Sequence, residues 1–431
     1  MLAARRRVLG ENHINTTRTM NDLAYVLEMQ GNLTEAEELH RKALANVRRL
    51  LGNEALDTLT SMGNLASVLC TEGKLDEAGG LLRERLDTAR RVLGKNHRDT
   101  LRAMSSYARW LGLVGRFAEA LPLAEEVYEG DRRLLGADHP ETIVALANRA
   151  HALSNAGKLN EAEPLLREVV ERARRVLGPL HPDTLSALNN LAEVLKNRGQ
   201  YAEAEKLLRE ALEGTRKTSG EHHVDTLYAM NNLAQCLQVQ NKQAEAEQLY
   251  RAALTGCRHS LGEDNPYTLT VMINLATVLV DDRQFDEAET LIRRALATRQ
   301  RLFGDEHIDT LHARLQLGIL LHERGDFQAA ADLLKPLLET AQRVMPPEHW
   351  YPAVVEGWYG RALLGLKRYA DAERHLVAAY ERLRSLLGED HPRTQKMRQR
   401  VAELYTAWGR PDEAARYQVA TPAAQPLASQ P

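Results

Sequence analysis

A series of asparagines offers the clearest candidate chemistry in this sequence. Five of its members are separated by multiples of 42 residues, and two more stand directly before a member: Asn64, Asn148, Asn189, Asn190, Asn231, Asn232 and Asn274. A side-chain amide both donates and accepts hydrogen bonds, so a row of amides can pair with the backbone of an extended peptide. The same amides can instead bond to the neighbouring unit and act as a structural ladder.

Histidines recur at a second position with the same spacing, and histidine is a common metal ligand. They are His13, His97, His139, His181, His223, His307, His349 and His391. Packed helix layers would place neighbouring copies about 9 Å or more apart, which is too far for two of them to share one ion. We therefore interpret these histidines as part of a structural linker.

Motifs for catalysis or cofactor binding do not occur in the sequence. It contains no glycine-rich phosphate loop, no kinase signature, no Cys-x-x-Cys and no His-Glu-x-x-His. Its three cysteines, Cys70, Cys236 and Cys257, are too few and too scattered for a disulfide framework or a metal cluster, which favours a reducing, cytoplasmic setting. We predict that the protein is no enzyme and has no catalytic residue, no metal site and no cofactor.

Charge and hydropathy exclude two classes of partner. The formal net charge is -3 and both signs are interspersed, so the sequence predicts no nucleic-acid partner. No apolar run approaches the roughly 20 residues that a membrane span needs, so the sequence predicts no membrane partner either.

The first ten residues match the end of a repeat unit, which suggests a chain truncated from a longer protein.

A period of 42 residues, without insertion or deletion, organises the chain that must position these side chains. A glycine marks it at Gly10, Gly52, Gly94, Gly136, Gly178, Gly220, Gly262 and Gly304. A fixed period of this length indicates an array of stacked units, each too small to bury its own apolar face.

Each unit is predicted to form two helices. The first begins at an Asp-Thr pair such as Asp183 and Thr184, with the aspartate as the expected N-cap. Its core face carries an i, i+3/i+4, i+7 pattern that includes Met20, Met62, Met104, Leu146, Leu188, Met230 and Met272. A turn, usually with glycine, leads into the second helix.

One alanine of the second helix never varies among the ten units: Ala36, Ala78, Ala120, Ala162, Ala204, Ala246, Ala288, Ala330, Ala372 and Ala414. This constancy predicts a helix crossing where only a methyl group fits. Acidic residues stand in the first turn of this helix and arginine pairs, such as Arg174 with Arg175, in its last turn, as the helix dipole favours.

The unit LG-x-x-HPDT-L-x-x-x-NNLA, followed by a G-x-x-x-EAE turn, resembles the tetratricopeptide repeat in the 42-residue form of kinesin light chains and their bacterial relatives. The resemblance covers about residues 1–417. It implies an all-α fold, an α-solenoid with a right-handed superhelix, whose first helices line a concave groove. In that family, asparagines of the NNLA motif hydrogen-bond the backbone of a bound peptide.

The pattern divides the chain into four parts. Residues 1–10 read as the end of a truncated repeat and residues 11–345 as eight regular units. Residues 346–417 depart from the pattern, with Trp358 and Arg400 in place of asparagine, and are expected to form degenerate repeats that cap the array. Residues 418–431 are rich in Pro and Ala, and we expect them to be disordered.

The predicted function is a scaffold that binds a protein or peptide ligand in the concave groove, with a monomer or weak end-to-end self-association as its assembly state. Beside the asparagines, the predicted groove positions include Arg102, Arg109, Tyr228 and Gln235. Two alternatives remain open. One is a regulatory arm of a larger bacterial signalling kinase or NTPase, and the other is a structural, self-assembling spacer.

Overall fold

Pairs of antiparallel helices form the repeats in a computed structural model, which describes residues 1–418. Within these residues lie 21 helices and no strand: α1 (Leu2–Leu9), α2 (Ile14–Met29), α3 (Leu33–Leu51), α4 (Leu56–Thr71), α5 (Leu75–Leu93), α6 (Arg98–Leu113), α7 (Phe117–Leu135), α8 (Pro140–Asn155), α9 (Leu159–Val176), α10 (Pro182–Asn197), α11 (Tyr201–Ser219), α12 (Val224–Gln238), α13 (Gln243–Ser260), α14 (Pro266–Asp281), α15 (Phe285–Phe303), α16 (Ile308–Arg324), α17 (Phe327–Val344), α18 (Tyr351–Gly365), α19 (Tyr369–Leu387), α20 (Pro392–Ala407) and α21 (Pro411–Tyr417). Even-numbered helices are the first helices of their repeats, and odd-numbered helices are the second.

The chain divides into two compact units, with the boundary between Leu317 and Gly318 inside α16. In the first unit each helix from α1 to α15 packs against its neighbours in sequence within that range, and consecutive first helices from α2 to α14 also touch. In the second unit α17 to α21 pack in the same sequential order. The predicted all-α array of two-helix repeats is therefore confirmed. The tail prediction for residues 418–431 lies outside the described residues except for Gln418.

The linker before each first helix corrects one expectation, because the aspartate is not the N-cap. Helix α10 begins at Pro182, whose fixed φ and missing N–H suit the first helical position, so the helix starts before Asp183. The N-cap is His181, whose Nδ1 accepts a hydrogen bond from the Asp183 N–H at 3.2 Å. The same cap recurs before seven other first helices, at His13, His97, His139, His223, Asn265, His307 and His391. Helices α4 and α18 differ, since their N-caps are Ala55 and Trp350, without a capping side-chain bond.

In four linkers of the first unit a threonine ties the helix start to the marker glycine: Thr58, Thr184, Thr226 and Thr268. The Thr226 hydroxyl, which is fully buried, donates to the carbonyl of Gly220 at 2.7 Å. Gly220 has φ +90°, a value that strongly favours glycine. The recurring glycine and histidine, together with these four threonines, therefore have a structural role in the backbone of the linker.

The core follows the predicted pattern. The methionine and leucine series of the first helices is buried, from Met20 to Met272, and so are all ten invariant alanines. Most turns between the paired helices use a glycine at positive φ, as at Gly199. Where glycine is replaced, Asn241, Arg283 and Lys367 adopt φ near +59° instead.

Ion pairs join the second helices of neighbouring repeats. Arg167 bonds to Glu203 of the next repeat at 2.6 Å, and Arg174 bonds to Glu210 at 2.6 Å. The second arginine of the pair reaches the preceding linker, as Arg175 does to Asp138. Each such surface pair contributes little to stability. The guanidinium groups of these arginines are, however, already bonded to carboxylates of the chain.

Two linkers of the first unit return to touch its beginning. The Nε2 of His307 lies 3.2 Å from the carbonyl oxygen of Thr71, although 236 residues separate them. A Cβ on Gly73 would lie 2.5 Å from the His307 ring, and one on Gly31 would lie 3.3 Å from Pro266. His307 is buried for this reason, whereas its counterpart His181 is exposed.

Substitution of the invariant alanine tests the close helix crossing. Ala204→Leu adds volume where the alanine is fully buried, so we expect the free energy of unfolding to fall by ~1–3 kcal/mol. Chemical denaturation followed by circular dichroism measures the change. Ala202→Leu, on the exposed side of the same helix, is the matched control and should leave stability within about 0.5 kcal/mol. Equal stabilities for the two variants would refute the assignment.

The buried cap at His391 predicts a loss of stability in mild acid. Burial, together with nearby Arg393, lowers the pKa of His391 to about 4. Because the unfolded histidine titrates near 6.5, the unfolded chain binds more protons between these values. Stability is therefore full above about pH 6.5 and is lost as the pH falls toward 4.

The variant His391→Asn keeps a capping acceptor, as Asn265 does in α14, and cannot titrate. We expect its melting temperature to exceed that of the wild type by a margin that grows between pH 7 and pH 4.5. His151→Asn, which removes an exposed histidine, is the control and should not reproduce this trend. A margin independent of pH would contradict the assignment.

Candidate functional site

Consecutive first helices of the first unit place the asparagine series side by side. Contacts between them join residues 39 or 43 positions apart: Lys196 donates to Gln235 at 3.3 Å, and Gln238 donates to Asp281 at 2.7 Å. The predicted site residues therefore lie on one continuous face formed by α4, α6, α8, α10, α12 and α14.

Four asparagines of the series form a ladder between α10, α12 and α14. Asn232 donates to the Asn189 amide oxygen at 3.2 Å, and Asn274 donates to Asn231 at 2.8 Å. Asn231 in turn lies 3.5 Å from the Asn232 oxygen. These amides satisfy one another, so at this end of the series the asparagines hold neighbouring repeats together.

Three asparagines differ, because the side chains of Asn64, Asn148 and Asn190 make no hydrogen bond within residues 1–418. The register of the ladder explains two of these cases. An asparagine pairs with the residue 43 positions earlier, which is Ala147 for Asn190 and Ser105 for Asn148. The alanine side chain has no polar group to pair with, and the serine side chain is shorter than that of asparagine. This difference between repeats is visible in the sequence.

The unpaired Asn148 and Asn190 line a cavity of about 350 Å³ on α6, α8 and α10. Small residues create the space: Ser105, Ser106, Ala108, Gly112, Ala147 and Ala152. His151 completes one side and bonds to Asn155 at 3.3 Å. The cavity thus combines apolar depth with two free amides, as peptide-binding and ligand-binding clefts do.

Arg109 connects this cavity with a neighbouring one of about 370 Å³, which Ser67, Cys70 and Trp110 also line. Arg109 is exposed, and its guanidinium makes no hydrogen bond or ion pair with another described residue. Burial raises the pKa of the Cys70 thiol to about 11, against the weaker opposing effect of Arg109. Cys70 is therefore a neutral thiol at pH 7, and Arg109 is a cation available to an anionic group.

Arg102 is already occupied. Its Nη2 bonds to Glu141 at 3.1 Å, and Arg98 bonds to the same carboxylate at 2.9 Å. Hydrogen bonds from Arg98 and then Arg102 lower the pKa of Glu141. Arg102 is thus part of a charged network on α6 and α8 that borders the asparagine face.

Tyr228 and Gln235 lie on α12, and neither lines these cavities. The Tyr228 ring packs on Tyr267 with centroids 3.9 Å apart, while Gln235 accepts a hydrogen bond from Lys196. Of the predicted site residues, the structure brings Arg109, Asn148 and Asn190 together at one cavity and places Arg102 beside them. Asn64, Tyr228 and Gln235 lie elsewhere on the same helix face.

In the second unit, different side chains occupy the corresponding positions. The guanidinium of Arg400 lies 4.2 Å from the ring centroid of Trp358, and that of Arg361 lies 4.7 Å from it. Burial of Arg400, with repulsion from Arg361, lowers its pKa to about 10. An aromatic and cationic stack therefore replaces the amides.

Comparison with known families agrees with the two-helix repeat. The tetratricopeptide repeat family matches residues 2–49, 18–87, 57–133, 113–175, 141–213, 183–259, 267–343 and 351–419. The chain belongs to the tetratricopeptide repeat family. Such repeats are generally non-catalytic scaffolds that bind protein or peptide partners, which supports a role in protein interaction for this chain. Within residues 1–418 no helix combines the length and the apolar character that crossing a membrane requires.

Several solved structures are similar to the chain, whereas no curated protein matches it. A putative kinesin light chain with nearly identical repeats from Podospora anserina shares 27% identity over 48% of this chain and 97% of its own, with a TM-score of 0.41. BtubC from P. vanneervenii shares 25% identity over 53% and 90%, with a TM-score of 0.44. A Rap protein, solved in complex with Competence and Sporulation Factor, shares 14% identity over 94% and 100%, with a TM-score of 0.53. The likeness to the Rap protein is one of fold.

Proposed function

We propose that the first unit binds an extended peptide segment of a partner protein along the face of α4, α6, α8 and α10. One observation carries this proposal. The free amides of Asn148 and Asn190 and the unpaired Arg109 converge on a single cavity of about 350 Å³. Asn148 and Arg109 are exposed and Asn190 is half-buried, so their donors and acceptors are open to a ligand that enters the cavity.

Each group has a defined role in the proposed complex. Asn148 and Asn190 would donate to and accept from the peptide backbone, while the cavity takes one peptide side chain. Arg109 would pair with a carboxylate next to that side chain. Asn64 and Arg102 lie on the same face, and Tyr228 and Gln235 would extend it onto α12. The amides of Asn189, Asn231, Asn232 and Asn274 keep the supporting helices in register.

Selection from a displayed peptide library, followed by fluorescence anisotropy with the enriched peptides, tests the proposal. We expect Asn148→Ala combined with Asn190→Ala to weaken binding at least about tenfold, because each lost hydrogen bond is worth about 1 kcal/mol. Its melting temperature should stay close to that of the wild type, because neither amide bonds to the protein.

Asn232→Ala is the matched control within the ladder. It removes the bond to Asn189 and should cost about 1 kcal/mol of stability while leaving peptide affinity within about threefold. The reverse pattern, with binding lost in the ladder variant and retained in the cavity variant, would exclude this groove. Failure of the library to yield any binder would also count against it.

A second candidate function, self-association, rests on an apolar face of α2. Val26 is 49% exposed, whereas Val68 and Val194 at the same position of later repeats are buried. Tyr25 and Met29 are exposed beside it. We propose that this face pairs with a second copy of the chain.

We also propose that residues 346–417, which depart from the repeat pattern, act as a cap.

Val26→Lys tests the self-association. If α2 forms the contact, sedimentation equilibrium should show a concentration-dependent dimer for the wild type and a monomer for the variant, because a lysine would have to be desolvated in the interface. Val239→Lys, at an exposed valine of the first unit, is the control and should dimerise normally. A monomeric wild type at all concentrations would rule this candidate out.

A further inference from the structure

A third cavity, of about 320 Å³, opens beside the first one where α6, α7 and α8 meet. The two are neighbouring parts of one depression, because they share the lining residues Ser105, Val127, Ala145 and Asn148. The character of the third cavity differs, however, since acidic side chains line it: Asp131, Glu141 and Asp183.

Asp131 is the unusual member of this group. It is only 8% exposed, yet no described residue donates a hydrogen bond to its carboxylate or forms an ion pair with it. Burial, followed by repulsion from Glu141, raises the pKa of Asp131 above its ordinary value. Buried carboxylates usually have a partner, because an unpaired charge loses its hydration without compensation.

The cations nearest to Asp131 do not fill this role. Arg98 and Arg102 attract it at longer range, but Arg98 bonds to Glu141, and Arg102 bonds to Glu141 and Asp99. His139, a further source of attraction, caps α8 through its Nδ1. The lining of the cavity carries three carboxylates and one guanidinium, that of Arg102, so its formal charge is -2.

We propose that this cavity binds a basic side chain, that of a lysine or arginine in the bound peptide, with its cationic group paired to Asp131. The inference rests on the proposed peptide groove and adds a specificity position to it. Leu101, Val127 and Val144 would contact the methylene stem of the side chain while its charged end reaches the carboxylate.

Other ligand side chains fit the cavity less well. An apolar side chain would leave the Asp131 carboxylate unpaired and remove its remaining water. An acidic side chain would add a like charge to a lining that is already negative. The expected ligand therefore places a basic residue in the cavity beside Asp131 and a different residue in the cavity beside Asn148 and Asn190.

Binding of labelled hexaarginine and hexalysine to the full chain, measured by fluorescence anisotropy, tests this inference. Asp131→Asn keeps the shape of the side chain and removes its charge, so we expect affinity for at least one of the two peptides to fall about tenfold or more. Asp87→Asn, at an exposed carboxylate on α5, is the matched control and should change affinity less than about twofold. The peptide that responds more strongly identifies the preferred cation.

A second variant guards against an effect on folding. Val144→Trp fills the mouth of the cavity and leaves Asp131 in place, so it should weaken hexaarginine binding to a similar degree. Hexaarginine should raise the melting temperature of the wild type and not that of Asp131→Asn. Unchanged affinity in both cavity variants would overturn the inference, and so would an equal loss in Asp87→Asn, which would indicate a general effect of net charge.

The outcome for this cavity is separable from that for the groove. Library peptides that lose affinity in Asn148→Ala with Asn190→Ala but bind Asp131→Asn normally would leave the groove standing and overturn the basic subsite. Loss of hexaarginine binding in Asp131→Asn, with library peptides unaffected by the asparagine variants, would support the subsite and overturn the groove.

Discussion

The burial of one invariant alanine in every second helix is the constraint on which every repeat depends. Ala204 and its nine counterparts are all buried, and we expect the second helix to lie too close to the first there for a larger side chain. When every repeat keeps this buried alanine and a linker of fixed length, equivalent positions have equivalent surroundings in each repeat. For that reason a 42-residue spacing in the sequence becomes a row of side chains on one face of the array.

Much of the architecture could be predicted because each position is repeated many times. The alanines, the methionine series and the turn glycines each recur in surroundings that the repeat itself creates. The prediction that aspartate is the N-cap was wrong, because aspartate and histidine are both polar residues near the helix start and either can cap it. The choice between them depends on a ring nitrogen that accepts from the N–H two residues further on, as His181 does from Asp183. Proline at the first helical position suits this start at Pro182, but α2, α6 and α12 have the same histidine cap without it.

The candidate site could be predicted only in part, because the role of an asparagine depends on another repeat. Asn232 and Asn190 occupy the same position, yet Asn232 bonds to Asn189 while Asn190 faces Ala147. Because Ala147 cannot bond to it, the amide of Asn190 stays free beside the cavity. Asp131 escaped the sequence reasoning for a related reason: it lies on a second helix, and its lack of a partner becomes apparent only when the side chains around it are known.

The contact between His307 and Thr71 has a consequence for how such an array can evolve. Repeat proteins commonly gain or lose whole units, because each unit interacts mainly with its neighbours and an added copy finds an equivalent place. Here, five further linkers lie between the two ends of a contact that spans 236 residues, and an inserted or deleted unit would move His307 away from Thr71. The number of repeats in the first unit is therefore constrained. The repeats can diverge in sequence, but a change in their number would expose the buried His307.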